Sequence, residues 1–297
     1  MISTEPYKGM RDFYPEDMAV QNYIFGVWRK IAEEFGYQEY SASLLEPSEL
    51  YRSKGSNEIV NEQTYTFTDR GGREVTLRPE MTPTLARMVA ARRKSLKFPL
   101  RWYSIPNLFR YERPQRGRRR EHFQLNCDVM GIAGVPAEAE IISLAHKLMR
   151  AFGAKESDFV IKINNRSAME TALLAQGMAK EEMLVLFRQW DKGGVPAGQK
   201  ISWSSATDEL LAGLKKRGVM NAEFDANIAR GFDYYTGMVF EVFDTDPENR
   251  RSLFGGGRYD NLLEVFGVEP VPTVGFGMGD VTIHDFLETH KLPLCAK

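Results

Sequence analysis

Four polar residues at alternate positions, His122, Gln124, Asn126 and Asp128, share one side of a segment whose other side carries Phe123, Leu125, Cys127 and Val129. A period of two predicts a strand with one apolar face. The polar face reads either as solvated sheet surface or as the wall of a site, since these side chains offer donors, acceptors and a charge. Two arginines, Arg110 and Arg230, are candidates for holding phosphate, because a guanidinium fork makes paired, charge-assisted bonds to phosphate oxygens. The familiar nucleotide loops are absent. There is no G-x-x-x-x-G-K-[ST], and Gly275-Phe-Gly-Met-Gly279 lacks the G-x-G-x-x-G spacing.

The elements that must position these groups are readable around them. Apolar residues Val20, Ile24, Val27, Ile31 and Phe35 predict a helix from about residue 16 that stops at Gly36. Ile141, Leu144, Ala145, Leu148 and Phe152 predict another after Pro136. Residues 101–112 and 121–131 read as the two strands of a long hairpin, joined by the arginine-rich loop 113–119. Further strands are predicted at 159–164 and 237–244, a short helical run at 262–266 and a last helix from about residue 280. Short helices over 167–220 read as an insertion, so the expected core is 1–166 plus 221–297. The fold class is α+β, with a mixed, mainly antiparallel sheet flanked by helices.

The 297 residues are 43% hydrophobic and 27% charged, which excludes a disordered or collagen-like chain. Segment 87–120 holds twelve Lys/Arg and one acid, Glu112, a balance of 12 − 1 = +11 within a chain of net charge −1. Such a block fits a polyanion partner or a solvated face. Cys127 and Cys295 are too isolated for a zinc site or a disulfide framework. No apolar run approaches the roughly 18 residues of a membrane span, and the first nine residues lack a signal-peptide core, so no membrane and a cytoplasmic location are expected.

Several segments together resemble the catalytic domain of histidyl-tRNA synthetases, of the class II aminoacyl-tRNA synthetases. They are Leu77-Arg-Pro-Glu-Met-Thr82, Phe109-Arg-Tyr-Glu-Arg-Pro-Gln115 with Gln124 and Asp128 downstream, Arg230-Gly-Phe-Asp-Tyr-Tyr-Thr236, Phe240-Glu241 and Gly256-Gly-Arg-Tyr-Asp260. The resemblance covers almost the whole chain. It implies a homodimer that activates L-histidine with ATP and Mg²⁺, then transfers it to the acceptor end of the histidine tRNA.

By the same resemblance Arg110 clamps the α-phosphate and the substrate carboxylate, and Arg230 takes the opposite side, the two forming the catalytic pair. Glu80, Thr82 and Gln124 match positions that hold the amino group and the substrate. Asp128 stands where the family usually has Glu, and Tyr235 and Tyr259, with Tyr234, match the ring pocket. Of the adjacent Tyr234 and Tyr235, one is expected in sheet packing, because neighbouring strand residues face opposite ways. Glu112, Arg118, Arg120 and His122 join Arg110 at the nucleotide, His122 replacing an adenine-stacking Phe. Gln115 and Arg116 approach the tRNA acceptor end. Glu241 and Asp233 are weaker matches, near the glycine loop or a metal.

Three departures qualify the match. Thr282 stands at the place of the third class II motif's arginine, Ser43 at that of the first motif's proline, and Lys297 ends the chain where relatives continue into an anticodon-binding domain. The last suggests a catalytic fragment or a short natural form. It also keeps open a non-catalytic, synthetase-like regulatory subunit of ATP phosphoribosyltransferase, and more weakly a plain RNA-binding module.

Overall fold

The computed structural model describes residues 2–52, 63–179, 182–183, 185–186, 205–228, 234–249 and 251–295. Helix α1 (Pro15–Glu34) opens the fold, with Pro15 in the first turn, where a missing N–H costs nothing, and Gly36 leaving it at φ +80°. Strands β1 (Gln38–Glu39), β5 (Leu100–Ser104), β7 (Glu121–Met130), β12 (Thr273–Gly279), β11 (Ser252–Arg258), β10 (Met238–Asp244), β8 (Phe159–Asn165) and β9 (Ala222–Phe224) follow one another across the main sheet. Pairing is antiparallel except at the two edges, β1 with β5 and β8 with β9. β6 (Asn107–Phe109) pairs with the start of β7, and β2 (Leu45–Pro47), β4 (Glu74–Leu77) and β3 (Tyr65–Thr68) form a small separate sheet.

One face of the main sheet is apolar and covered by helices. Leu125, Cys127 and Val129 of β7, Val274 and Met278 of β12, and Phe240 of β10 pack beneath α1, α4 (Val135–Ala151), α6 (Ser205–Lys216) and α7 (Asp280–Thr289). Trp28, which the apolar stripe of α1 did not single out, is fully buried there and donates its indole N–H to the Met278 sulfur at 3.1 Å. Leu210 and Leu214 of α6 belong to this same core, while α5 (Arg166–Ala175) places Met169 and Leu173 in a satellite cluster. The opposite face carries a second cluster, with Leu85 and Val89 of α3 (Thr82–Ala91) beside Tyr234, Tyr235 and Tyr259.

One expectation is corrected. The predicted strand 101–112 breaks into β5 and β6 at Ile105-Pro106, since proline has no N–H for the ladder, and Arg110 and Glu112 follow in irregular chain. The glycine segments 255–258 and 274–279, to which the sequence reading gave no element, are central strands, ahead of the expected helical runs at 262–266 and from 280. Their glycines are steric requirements: a Cβ at Gly256 would come 2.0 Å from the Gly275 carbonyl oxygen.

Buried Asp280, at the start of α7, joins three parts of the fold. It accepts from Arg11 (2.7 Å), from Gln21 of α1 (3.1 Å) and from the Phe123 backbone N–H of β7 (2.9 Å). Removing a buried acceptor strands its donors in low dielectric. Asp280→Ala is expected to cost about 3 kcal/mol of stability, read as a lower urea midpoint at unchanged m-value. A loss below about 0.5 kcal/mol would remove Asp280 from this role.

Candidate active site

The polar face of β7 becomes a pocket because the strand beside it has no side chains there. Gly275 pairs with Asp128 and Gly277 with Asn126, and the β7 side chains lean into the vacated space. A Cβ on Gly275 would come 2.0 Å from Asp128 Oδ1, and one on Gly277 2.1 Å from Gln124 Nε2. On β11 a Cβ at Gly257 would strike the Tyr235 ring at 2.7 Å. Gln124, Asn126 and Asp128 thus form one wall of a cleft that also takes Glu80, Met81 and Thr82 from the start of α3, Arg110, and the tyrosines 234, 235 and 259. The alternative of a solvated polar face is excluded for Asn126 and Asp128, which are buried.

Two carboxyls dominate its electrostatics. Glu80 is 4% exposed, accepts from Tyr234 Oη at 3.3 Å through Oε2, and has no hydrogen-bond partner at Oε1 among the described residues. Burial pushes its pKa up to about 7, against the opposing pull of the Arg110 guanidinium and the Tyr234 hydroxyl. Asp128 is likewise pushed to about 7 by burial, opposed by the hydrogen bond it accepts from Tyr259. An unpaired buried carboxyl oxygen costs free energy unless a ligand supplies the donor. Arg110 donates its Nε–H to the Pro79 carbonyl at 2.8 Å, which holds the guanidinium at the cleft.

Tyr234 and Tyr235 do not divide between site and packing. They lie in a turn ahead of β10, where strand alternation does not apply, so both rings line the cleft 4.9 Å apart. Tyr259 meets Tyr234 edge-on at 5.6 Å. Its neighbours are structural: Arg258 is buried on Glu138 (2.6 Å) and Asp260 (3.2 Å). The three rings give one end of the cleft an aromatic wall.

The nucleotide and tRNA candidates are dispersed around the entrance. His122, two residues along β7 from Gln124, has its pKa driven down to about 3, by burial first and then by Arg110 and Arg11, so it is neutral at physiological pH. Glu112 pairs with Arg118 at 3.6 Å, outside the cleft. Arg120 is buried, with its guanidinium 3.9 Å over the Tyr111 ring and its Nε–H on the Glu112 carbonyl. Gln115 and Arg116 are exposed at the loop tip, where Arg116 reaches Thr289 of α7 and Gln115 accepts from Arg251. Thr282, in the first turn of α7, donates to the Leu253 carbonyl at 2.6 Å. Glu241 is half-buried on β10 and is not among the cleft residues. Arg230 and Asp233 lie outside the described residues.

Much of the basic block is spent on structure: Arg87 pairs with Glu46, Arg101 with Glu140, and Arg93 stacks over Phe98. Exposed in the block are Arg92, Lys94 and Lys97 as well as the tip, Arg113, Arg116, Arg118 and Arg119. The sequence places Asn126 on the polar face without a role, and its glycines of β11 and β12 enter only as a family motif and a failed nucleotide-loop match, not as strands. Their spacing was the available signal, since Gly275, Gly277 and Gly279 alternate with apolar residues at strand period. Among the described residues, one set of three metal-type donors converges, His284, Asp285 and Glu288 on α7, away from the cleft.

Comparison with known proteins bears on the family and the fold. A family profile described as histidyl-tRNA synthetase matches residues 9–201 and 195–280. A histidine–tRNA ligase of Leptospira biflexa is 43% identical over 98% of this chain and 76% of its own length, and one of Thermoplasma volcanium is 39% identical over 97% and 76%. In fold, the chain superposes with a TM-score of 0.81 on a Bacillus halodurans protein described as an ATP phosphoribosyltransferase regulatory subunit/histidyl-tRNA synthetase, at 24% identity, covering 96% of this chain and 83% of that one.

The raised carboxyls make stability depend on pH with a definite sign. Glu80 and Asp128 keep their protons in the fold up to about pH 7, whereas both ionise near pH 4 in the unfolded chain. The folded state therefore binds more protons between those values, and its stability falls as pH rises through that window, by at most about 1.4 kcal/mol per pH unit per group. Urea midpoints of the ligand-free chain at pH 5 and 7.5 are expected to fall less in a Glu80→Gln/Asp128→Asn double variant than in the parent. Equally steep profiles would exclude these groups as the source.

Proposed function

The chain belongs to the histidyl-tRNA synthetase family, and on that premise we propose that its cleft activates L-histidine with ATP and passes it to the 3′ end of the histidine tRNA. The observation that carries the reading is the partnerless Glu80 Oε1, held between the Arg110 guanidinium and the tyrosine cluster. It is an acceptor awaiting a cation, and the α-ammonium of an amino acid supplies three N–H donors. Asp128 with Tyr259 at the other end can take an imidazole N–H, and the aromatic wall fits a flat ring.

In the first step a histidine carboxylate oxygen attacks the α-phosphorus of ATP. The new P–O bond forms as the bond to the β-phosphate breaks, and pyrophosphate leaves with the electron pair. Negative charge gathers on the α-phosphate oxygens, where Arg110, and Arg230 from the other side, would stabilise it. Such cations act best when held in place beforehand, as the Pro79 carbonyl holds Arg110. His122 offers the adenine a neutral, stackable ring. Mg²⁺ would come as the counter-ion of the nucleotide, since of the cleft's two buried acids Glu80 is assigned to the substrate ammonium and Asp128 is bonded to Tyr259. In the second step a terminal ribose hydroxyl attacks the acyl carbonyl and AMP leaves. The exposed arginines at the loop tip would meet the acceptor backbone, in a contact weakened by salt.

The chain's extensive match to curated histidine–tRNA ligases favours this over the regulatory reading, although a fold neighbour carries both descriptions. Histidine-dependent ATP–pyrophosphate exchange separates them, because a regulator would bind histidine without exchange. Arg110→Ala and Arg230→Ala are each expected to reduce exchange by about 10²–10³-fold with the fold retained by circular dichroism. Full exchange in either variant would refute that residue's role.

A further inference from the structure

We infer that Asn126 is a specificity-determining residue, whose amide sets how long a spacer between imidazole ring and α-carbon the cleft admits. The inference rests on the proposed histidine site and concerns a residue that site does not otherwise use. Side chains two apart on a strand stand about 6.7 Å from one another. Asn126 therefore lies midway along the wall between Asp128, at the ring end, and Gln124, toward Arg110 and the nucleotide. A histidine with its ring at Asp128 and its ammonium at Glu80 passes its Cβ and Cα over position 126.

The amide there is fixed. It is 7% exposed, its Nδ2 donates to the Gln124 carbonyl at 3.2 Å, and its flanks are Gly277 on one side and buried Ser104 on the other. A Cβ at Gly277 would meet Gln124 at 2.1 Å and Asn126 Oδ1 at 3.4 Å, so Gln124 fills the space that the glycine leaves and the Asn126 amide stands in contact with its edge. With Asp128 tied to Tyr259 beneath it, the ring end cannot retreat to make room for a longer substrate. An extra methylene would have to displace the amide, and one methylene in a tight pocket changes kcat/KM by about 10- to 200-fold.

The test is ATP–pyrophosphate exchange with L-histidine and with L-homohistidine, which has one more methylene, in the parent and in Asn126→Gly and Asn126→Ala. The quantity read is the ratio of the two kcat/KM values within one preparation, which cancels any difference in folded fraction. Asn126→Gly is expected to raise the homohistidine-to-histidine ratio by roughly 10-fold or more, with Asn126→Ala between it and the parent. A ratio unchanged in both variants overturns the inference, and so does an equal rise of KM for both amino acids, which would make the amide a general substrate ligand. If the parent shows no histidine-dependent exchange, the proposed function itself fails, a result distinct from either.

Discussion

The site depends on a sheet that omits side chains on one strand so that its neighbour's polar groups can be buried without collapse. Gln124 and Asp128 occupy volume that any residue but glycine at 277 and 275 would claim. Glycine in strand interiors weakens a sheet, through backbone entropy and lost packing. Here the loss falls on β11 and β12, in the middle of the main sheet, where β7 and β10 on either side hold them in register. The other face of the same strands, with Val274, Phe276 and Met278 under α1 and α4, supplies the apolar burial that offsets it.

A second layer of contacts fixes the segments that carry the site. Asp280 holds the α1 region, β7 and α7 at one point, so the nucleotide end of β7 cannot shift independently of the helices. Arg258 does the same for the turn that presents Tyr259, through Glu138, Asp260 and the Gly134 carbonyl. Arg120 anchors the basic loop to the N-terminal segment: its backbone N–H donates to the Gly9 carbonyl and its guanidinium covers Tyr111. Some of the arginines in the recognisable motifs thus serve the scaffold, and motif membership alone does not separate these from Arg110 at the cleft.

The sequence exposed what depends on local periodicity and concealed what depends on partners. The two faces of β7 were legible because alternation of Leu125, Cys127 and Val129 with Gln124, Asn126 and Asp128 is a backbone property. The break at Pro106 was legible in principle from the missing donor, but the alternation around it outweighed a single residue. β11 and β12 were hidden because runs of glycine carry turn signals, and their status as central strands comes from neighbours 16 to 155 residues away. The burial of Tyr234 and Tyr235 on one side was hidden by assuming a strand where the chain turns. Glu80's partnerless oxygen and the burial of Asn126 within the cleft wall are tertiary facts with no local signature.

The charge state of the cleft completes the argument from burial to chemistry. Two ionised acids in low dielectric would place negative charge in a cleft proposed to face an anionic nucleotide. Burial avoids this by holding both protonated to about neutral pH. On the proposed reading, histidine would change the balance on arrival: its ammonium would favour ionised Glu80, forming a neutral pair, while Arg110 would keep a positive charge for the phosphate. On the proposed reading, the burial that destabilises the empty chain as pH rises also keeps the site from repelling ATP, and makes a bound ammonium, rather than a rise in pH, the event that charges Glu80.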